Sequence, residues 1–190
     1  MKELEDRILR DGRVLSGNIL QVGGFINQQI DTSFTRDLAR KVHSLFSSST
    51  VTKVLTIEAS GIAFGFAVAE QFGIPLVFAK KSKTSNVDGA VLSAPIHSYT
   101  HGSDYTATVS AEYISPDDSV LIVDDFLANG EALRGLIKIV KDAGASVAGA
   151  AIEIEKGFQG GGDRLRKEGI RVESLAVIDS MSESGITFRR

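Results

Sequence analysis

Residues 120 to 132 read Val-Leu-Ile-Val-Asp-Asp-Phe-Leu-Ala-Asn-Gly-Glu-Ala. They predict an apolar strand that runs into two adjacent carboxylates and a short loop of small residues, and then an amphipathic helix carried by Leu133, Leu136, Ile137 and Val140. The unpaired loop amides at the start of such a helix, together with its dipole, make a seat for a phosphate. Asp124 and Asp125 cannot serve that phosphate, because two anions beside an anion seat repel it. They suit something attached to it that offers hydroxyl donors, such as a ribose diol. The combination points to a sugar phosphate. Two other readings of the paired aspartates are a Mg²⁺ site and polar residues that merely end a buried run. No Gly-x-x-x-x-Gly-Lys-Ser/Thr loop occurs, nor a Gly-x-Gly-x-x-Gly between a strand and a helix.

Outward from this stretch, helical and strand patterns alternate. Leu4, Ile8 and Leu9 suggest a short first helix, and Phe34, Leu38, Val42, Leu45 and Phe46 a second. Val54–Ile57 reads as a buried strand, followed by a helix near Ile62 to Phe72, a break at Gly73-Ile74-Pro75 and a strand over Leu76–Ala79. Beyond the central helix, which Gly144 caps, Val147 to Ile154 reads as a strand, residues 162 to 167 as a charged helix and Val172 to Ile178 as a last strand. Short apolar strands alternating with helices predict an α/β fold with a parallel sheet covered on both faces. Two stretches break the rhythm: a polar, Gly-containing insert over residues 12 to 31 and a Ser/Thr/Gly/Tyr-rich segment over residues 82 to 113.

At 190 residues, against a prior of roughly 150 per domain, the chain reads as one domain over residues 1–190. The net charge of −3 does not advertise nucleic-acid binding. Without cysteine there are no disulfides or thiolate metal sites, and the dispersed His43, His97 and His101 do not form a zinc pattern. The charged first residues are unlike a signal peptide, and no apolar run approaches the ~18 residues of a membrane span, so cytoplasmic residence without membrane association is the expectation.

Other strand ends carry candidate ligands. Thr56-Ile57-Glu58-Ala59-Ser60-Gly61 is a second strand-loop-helix junction whose small residues allow close backbone approach, making another anion seat or simply a tight turn. Glu58 is either catalytic or bonded to loop amides. Lys80 and Lys81 end the next strand, where they would neutralise an anion or stand as solvated charges, and Lys156 ends the strand after the central helix.

The 120–132 stretch resembles the phosphoribosyl pyrophosphate (PRPP) signature of type I phosphoribosyltransferases, four apolar residues, two acidic ones and a small-residue loop. Its Phe-Leu-Ala-Asn-Gly form is similar to that of the bacterial xanthine phosphoribosyltransferases, and the resemblance extends over essentially the whole chain. The loop departs from the common family pattern by lacking its hydroxyls at Asn129 and Ala132, which leaves backbone amides and the Asn129 amide to hold the phosphate, with Glu131 turned away. The resemblance implies a sheet flanked by helices, a hood built largely from residues 12–31 over the base, and a mobile hairpin, the flexible loop 82–113, that closes over PRPP. It implies PRPP contacts at Ala128, Asn129, Gly130, Glu131 and Ala132, pyrophosphate contacts at Glu58, Ala59, Ser60, Gly61 and Lys81, and ribose contacts at the catalytic Asp124 and Asp125. Base contacts are implied at Leu20, Asn27 and Lys156. Phe126 and Phe158 either cover the ring faces or pack in the core, and the base is the slightly favoured role for Phe126. The expected reaction converts xanthine and PRPP to xanthosine monophosphate and pyrophosphate, with Mg²⁺ bound chiefly through PRPP and no protein metal ligand; a homodimer is expected from the family. The alternatives are the same chemistry on guanine, hypoxanthine or adenine, and a PRPP-sensing regulator, for which the chain has no basic DNA-binding module.

Overall fold

A computed structural model of the chain describes residues 1–81, 89–98, 103–182 and 184–190. The quoted stretch forms β7 (Ser119–Leu127), a loop and α4 (Glu131–Asp142), as its pattern predicts. From Val120 to Asp125 every residue of β7 is buried, because the strand lies in the middle of a six-stranded sheet. That sheet runs β10-β9-β8-β7-β3-β4, with β3 (Lys53–Ile57), β4 (Leu76–Ala79), β8 (Ser146–Lys156), β9 (Val172–Ser182) and β10 (Gly185–Phe188). Its pairs are parallel except β10 with β9. Parallel strands direct all their carboxyl ends to one edge, and the loops there gather the candidate residues.

Both faces are covered, which accounts for the nearly continuous apolar runs of β3 and β7. On one face α1 (Lys2–Asp11), α2 (Thr32–Leu45) and α3 (Gly61–Phe72) bury Leu4, Ile8, Leu38, Val42, Phe64 and Val68 against Leu121, Val123 and Ala151. On the other, α4 packs Leu136, Ile139 and Val140 against Val120, Ile122 and Ile152, and α5 (Gly161–Lys167) adds Leu165. At the amino-terminal edge, Asp118 accepts hydrogen bonds from Lys53 Nζ (2.8 Å) and Thr52 Oγ1 (2.8 Å), tying the starts of β3 and β7 together.

The folded chain fills in three sequence expectations. The insert at 12–31, polar by composition, is nevertheless built into the core: β1 (Arg13–Leu15) and β2 (Ile19–Gln21) form a hairpin, and Leu20, Val22, Phe25 and Ile26 are buried in the first core. Within 82–113, β5 (Val91–Ser98) and β6 (Ser103–Ser110) pair as an antiparallel hairpin, and Ala94, Ile96, Ala107 and Val109 are buried in the second core. The rest of that expected loop, 82–88 and 99–102, lies outside the described residues. The last strand runs on to Ser182 and pairs with β10: Asp179, Ser180 and Ser182 are exposed, while Met181, like Phe188 of β10, is buried in the first core.

Candidate active site

Asp124 and Asp125 close the buried part of β7, each under one-tenth exposed. Asp124 Oδ1 accepts from the Asp125 amide at 3.0 Å, and Asp125 Oδ2 accepts from Asn27 Nδ2 at 3.3 Å. The second contact matters for the sequence reading, since it brings Asn27, 98 residues away, to the acidic pair. Burial first, and then the adjacent Asp125, pushes the Asp124 carboxyl well above the usual carboxylate range; the Lys81 ammonium opposes this. Glu153, level with Asp125 on the neighbouring strand, is raised by the same causes, burial first and then the two aspartates. Three carboxyl groups thus crowd a buried site that accepts donors, and polar or cationic ligand groups would relieve their repulsion.

The loop after β7 leads into α4 through Gly130 at its N-cap position, so the first amides of a twelve-residue helix face outward. Gly161, at the start of α5, lies so close to this loop that a Cβ there would overlap the Ala128 carbonyl. Arg164 Nη2 donates to the Asn129 carbonyl at 3.0 Å and fixes the loop from the same side. Loop and helix start are therefore held from outside, leaving the amide side clear.

A cavity of about 370 Å³ brings the pieces together, within the range of roughly 300–1,000 Å³ usual for small-molecule sites. Asp124, Phe126, Lys156 and all five loop residues Ala128, Asn129, Gly130, Glu131 and Ala132 line it. Glu131 was expected to turn away, yet it stands on the cavity wall at the first position of α4, where an acidic side chain meets the positive end of the helix. Lys156 is half-buried, its ammonium donating to the Asn18 carbonyl at 3.0 Å and standing 5.7 Å from the centre of the Phe126 ring. Burial lowers its pKa. Phe126 is thus paired with the cation across the cavity, while Phe158 is exposed and contributes no lining.

At the second junction, Glu58 Oε1 accepts the Lys81 amide at 2.6 Å, the amide-bonding role anticipated as one of its two readings. Gly61 opens α3 where a Cβ would strike Thr56 Oγ1 and stand 3.0 Å from Asp124 Oδ1, so the close approach of this loop to β7 requires glycine. Ala59 and Ser60 complete the turn, with Ser60 at the N-cap position. Lys80 is held by its backbone, which exchanges two 2.9 Å hydrogen bonds with Thr108 of β6. Lys81 faces the site instead, its Nζ 5.3 Å from the Tyr105 ring, and Tyr105 lines the cavity.

Leu20 and Asn27 stand apart from Lys156. They line a neighbouring cavity of about 540 Å³ together with Gly23, Gln28 and Gln29, and it is Ile19, not Leu20, that reaches the first cavity with Gly17 and Asn18. Sequence reasoning also missed Ile96, His97, Tyr105 and Gln159 on the first cavity wall. Alternation along β5 and β6 offered a signal for the hairpin residues; nothing local singled out Gln159.

A buried acidic pair, a phosphate-type loop at a helix start and a second small-residue junction at one edge of a parallel sheet are the parts of a sugar-phosphate transferase site. The family model for the phosphoribosyl transferase domain matches residues 28–187, and the chain belongs to that family. Two relatives identify the branch it resembles over its full length. The xanthine phosphoribosyltransferase of Brevibacillus brevis is 50% identical over 188 residues, covering 99% of this chain and 96% of that protein. That of Lachnoclostridium phytofermentans is 49% identical over 191 residues, covering 100% and 98%. Among solved structures, the adenine phosphoribosyltransferase of Leishmania tarentolae superposes with a TM-score of 0.76 at 21% identity, over 95% of this chain and 90% of that one. The enzyme of the same name from Trypanosoma brucei gives 0.77 at 16% identity over 92% and 78%. At such identities these two report the fold alone.

Proposed function

We propose that the chain is a purine-salvage phosphoribosyltransferase, transferring the phosphoribosyl group of PRPP to xanthine with formation of xanthosine monophosphate and pyrophosphate. The observation that carries this reading is one cavity in which the 128–132 loop and Asp124 face Lys156 and Phe126. Phosphate and ribose ends of one substrate thereby meet a base site. Half-identity over the whole length to xanthine phosphoribosyltransferases supports the choice of base.

In this reading the amides of residues 128–132 hold the 5′-phosphate, and Asp124 and Asp125 accept from the ribose diol. Residues 58–61 and Lys81 hold the pyrophosphate. Positive charge builds on the ribose carbon as pyrophosphate leaves, so positioning and electrostatics supply most of the acceleration. The Lys156 ammonium donates to a purine oxygen, which in xanthine stands where guanine has an amino group. Phosphoribosyltransferases generally use Mg²⁺ with PRPP. Hard oxygen donors are present at Asp124 and Asp125. In this reading the ion is held chiefly by the oxygens of PRPP itself. When bound, it neutralises charge on the departing pyrophosphate.

Residues 12–31 act as the hood in this reading, over a single domain spanning 1–190. A homodimer is part of this reading as the family's expectation, and the exposed Phe66 of α3 and Phe78 of edge strand β4 are apolar side chains open to such an interface. Light scattering of the purified chain tests it, and a monomer mass across the working concentration range rejects it. No described helix is long and apolar enough to cross a membrane; residence in the cytoplasm remains part of the proposal, checked by fractionation. The decisive experiment is turnover of the purified chain with PRPP, Mg²⁺ and a panel of xanthine, guanine, hypoxanthine and adenine. Xanthine should give the largest kcat/KM, and preference for another base overturns the assignment while leaving the transfer chemistry standing.

A further inference from the structure

Directly after Lys156, the chain makes a short 3₁₀ turn, Gly157–Gln159, before α5. Its side chains diverge. Phe158 is 38% exposed, whereas Gln159 lines the same cavity as Lys156, Asn129 and Gly130, and its Oε1 is buried without a hydrogen-bond partner among the described residues. A buried polar atom left unpaired is costly, and most such atoms in folded proteins have a partner.

The backbone around Gln159 is held firmly. The Gly160 amide donates to the Gly157 carbonyl at 2.9 Å, and Arg164 Nη1 donates to the Gln159 carbonyl at 3.3 Å. The same guanidinium reaches the Asn129 carbonyl through Nη2 at 3.0 Å, so one arginine ties the turn and the phosphate loop into a unit. The carboxamide therefore stands at a set distance from the loop rather than drifting on a free turn.

We propose that Gln159 is a purine-contacting residue, its carboxamide pairing with the lactam edge of an oxopurine, a ring N–H beside a C=O. This rests on the purine-transfer reading above and extends it. Lys156 offers donors only, so it can hold a purine oxygen but leaves an adjacent ring N–H without an acceptor. A carboxamide carries one acceptor and a pair of donors side by side, the complement of that edge, and a turn of the side chain toward the cavity would give the buried, unpaired Oε1 its partner. Adenine has no lactam and offers a different pattern, so the pair Lys156 and Gln159 discriminates by which groups are left unpaired.

The test is steady-state kinetics of wild type, Gln159→Leu and Gln159→Glu on each purine, with PRPP KM and thermal midpoint measured for all three. Loss of neutral hydrogen bonds predicts a roughly three- to tenfold rise in KM for the preferred oxopurine in Gln159→Leu, with PRPP KM unchanged and a midpoint no lower than that of wild type, because the variant also removes the unpaired buried oxygen. Gln159→Glu keeps the shape and an acceptor but loses the amide donors, so it should also raise purine KM; it decides the question if Gln159→Leu does not fold. An unchanged purine KM in a folded variant, an equal rise in PRPP KM, or wild-type preference for adenine overturns the proposal. Wild-type turnover of no purine removes the transfer reading itself, and this assignment with it; an active wild type with an unmoved variant removes Gln159 alone.

Discussion

Lys156 has three N–H donors and spends one on the Asn18 carbonyl, with the Phe126 ring beside it. A half-buried ammonium in that setting gains from any further acceptor, which is why a purine oxygen would be held strongly. Lys156→Ala should lower kcat/KM for xanthine about ten- to a hundredfold, since a hydrogen bond to a charged group is typically worth ~1.5–3 kcal/mol, while PRPP affinity changes little. Kinetics with three oxopurines and a separate PRPP titration check this; an untouched base preference removes Lys156 as the reader. The acidic pair answers to a different measurement. Asp124→Asn with Asp125→Asn removes mutual repulsion that burial has already made unfavourable, so the double variant should fold at least as well as wild type and yet lose most turnover. A well-folded double variant of near-normal activity would dispose of the ribose-diol role.

At the scale of elements, the phosphate seat depends on contacts from outside it. The loop between β7 and α4 rests on the start of α5, and the approach at Gly161 leaves no room for a methyl group against the Ala128 carbonyl and the Asn129 backbone. Gly161→Ala must push the loop toward the cavity or part α5 from it. The expected outcome is a PRPP KM raised by an order of magnitude or so, with purine binding less affected, because a misplacement of about 1 Å can cost on the order of a hundredfold in rate. Unaltered PRPP kinetics in this variant would mean that the loop does not set phosphate binding. The β5–β6 hairpin shows the reverse case, an element composed like a lid that is nevertheless anchored, since Ala94, Ile96, Ala107 and Val109 are buried against α4 and the sheet.

For the whole molecule, the two ends of the sheet have opposite electrostatics. At the carboxyl edge, buried carboxyls are raised and await a ligand; at the amino-terminal edge Asp118 is fully partnered. Burial raises the Asp118 carboxyl, but hydrogen bonds from Lys53, the Ser115 amide and Thr52 outweigh it and hold the pKa at about 2, against an ordinary 3.8. A folded pKa below the unfolded one stabilises the protein above the unfolded value, and that contribution disappears as pH falls through the folded one. The stability difference between wild type and Asp118→Asn should therefore be full above pH 3.8 and should close as pH approaches about 2. Urea unfolding of both proteins across that range measures it, and a gap that does not vary with pH refutes the linkage.

What the sequence by itself determined is local and repetitive: the buried strand, the two carboxylates at its end, the small-residue loop and the helix that follows, together with the alternation that specifies a parallel sheet. These are legible because strand burial, helix periodicity and loop size act over a few neighbouring residues. Glu58 shows the margin of that reading, since its amide-bonding role was one of two that the sequence left open. Which neighbour faces the site was a tertiary decision. Ile19 rather than Leu20 reaches the main cavity, and Gln159 rather than Phe158, because side-chain direction at a hairpin or a 3₁₀ turn is set by what the backbone packs against. The meeting of Asn27 with Asp125 and of Lys156 with Asn18, 98 and 138 residues apart, likewise follows from strand order, with β7 and β8 adjacent and the residue 12–31 segment folded over their ends. No local propensity encodes such distances, since they are fixed only when the two cores close on opposite faces of one sheet.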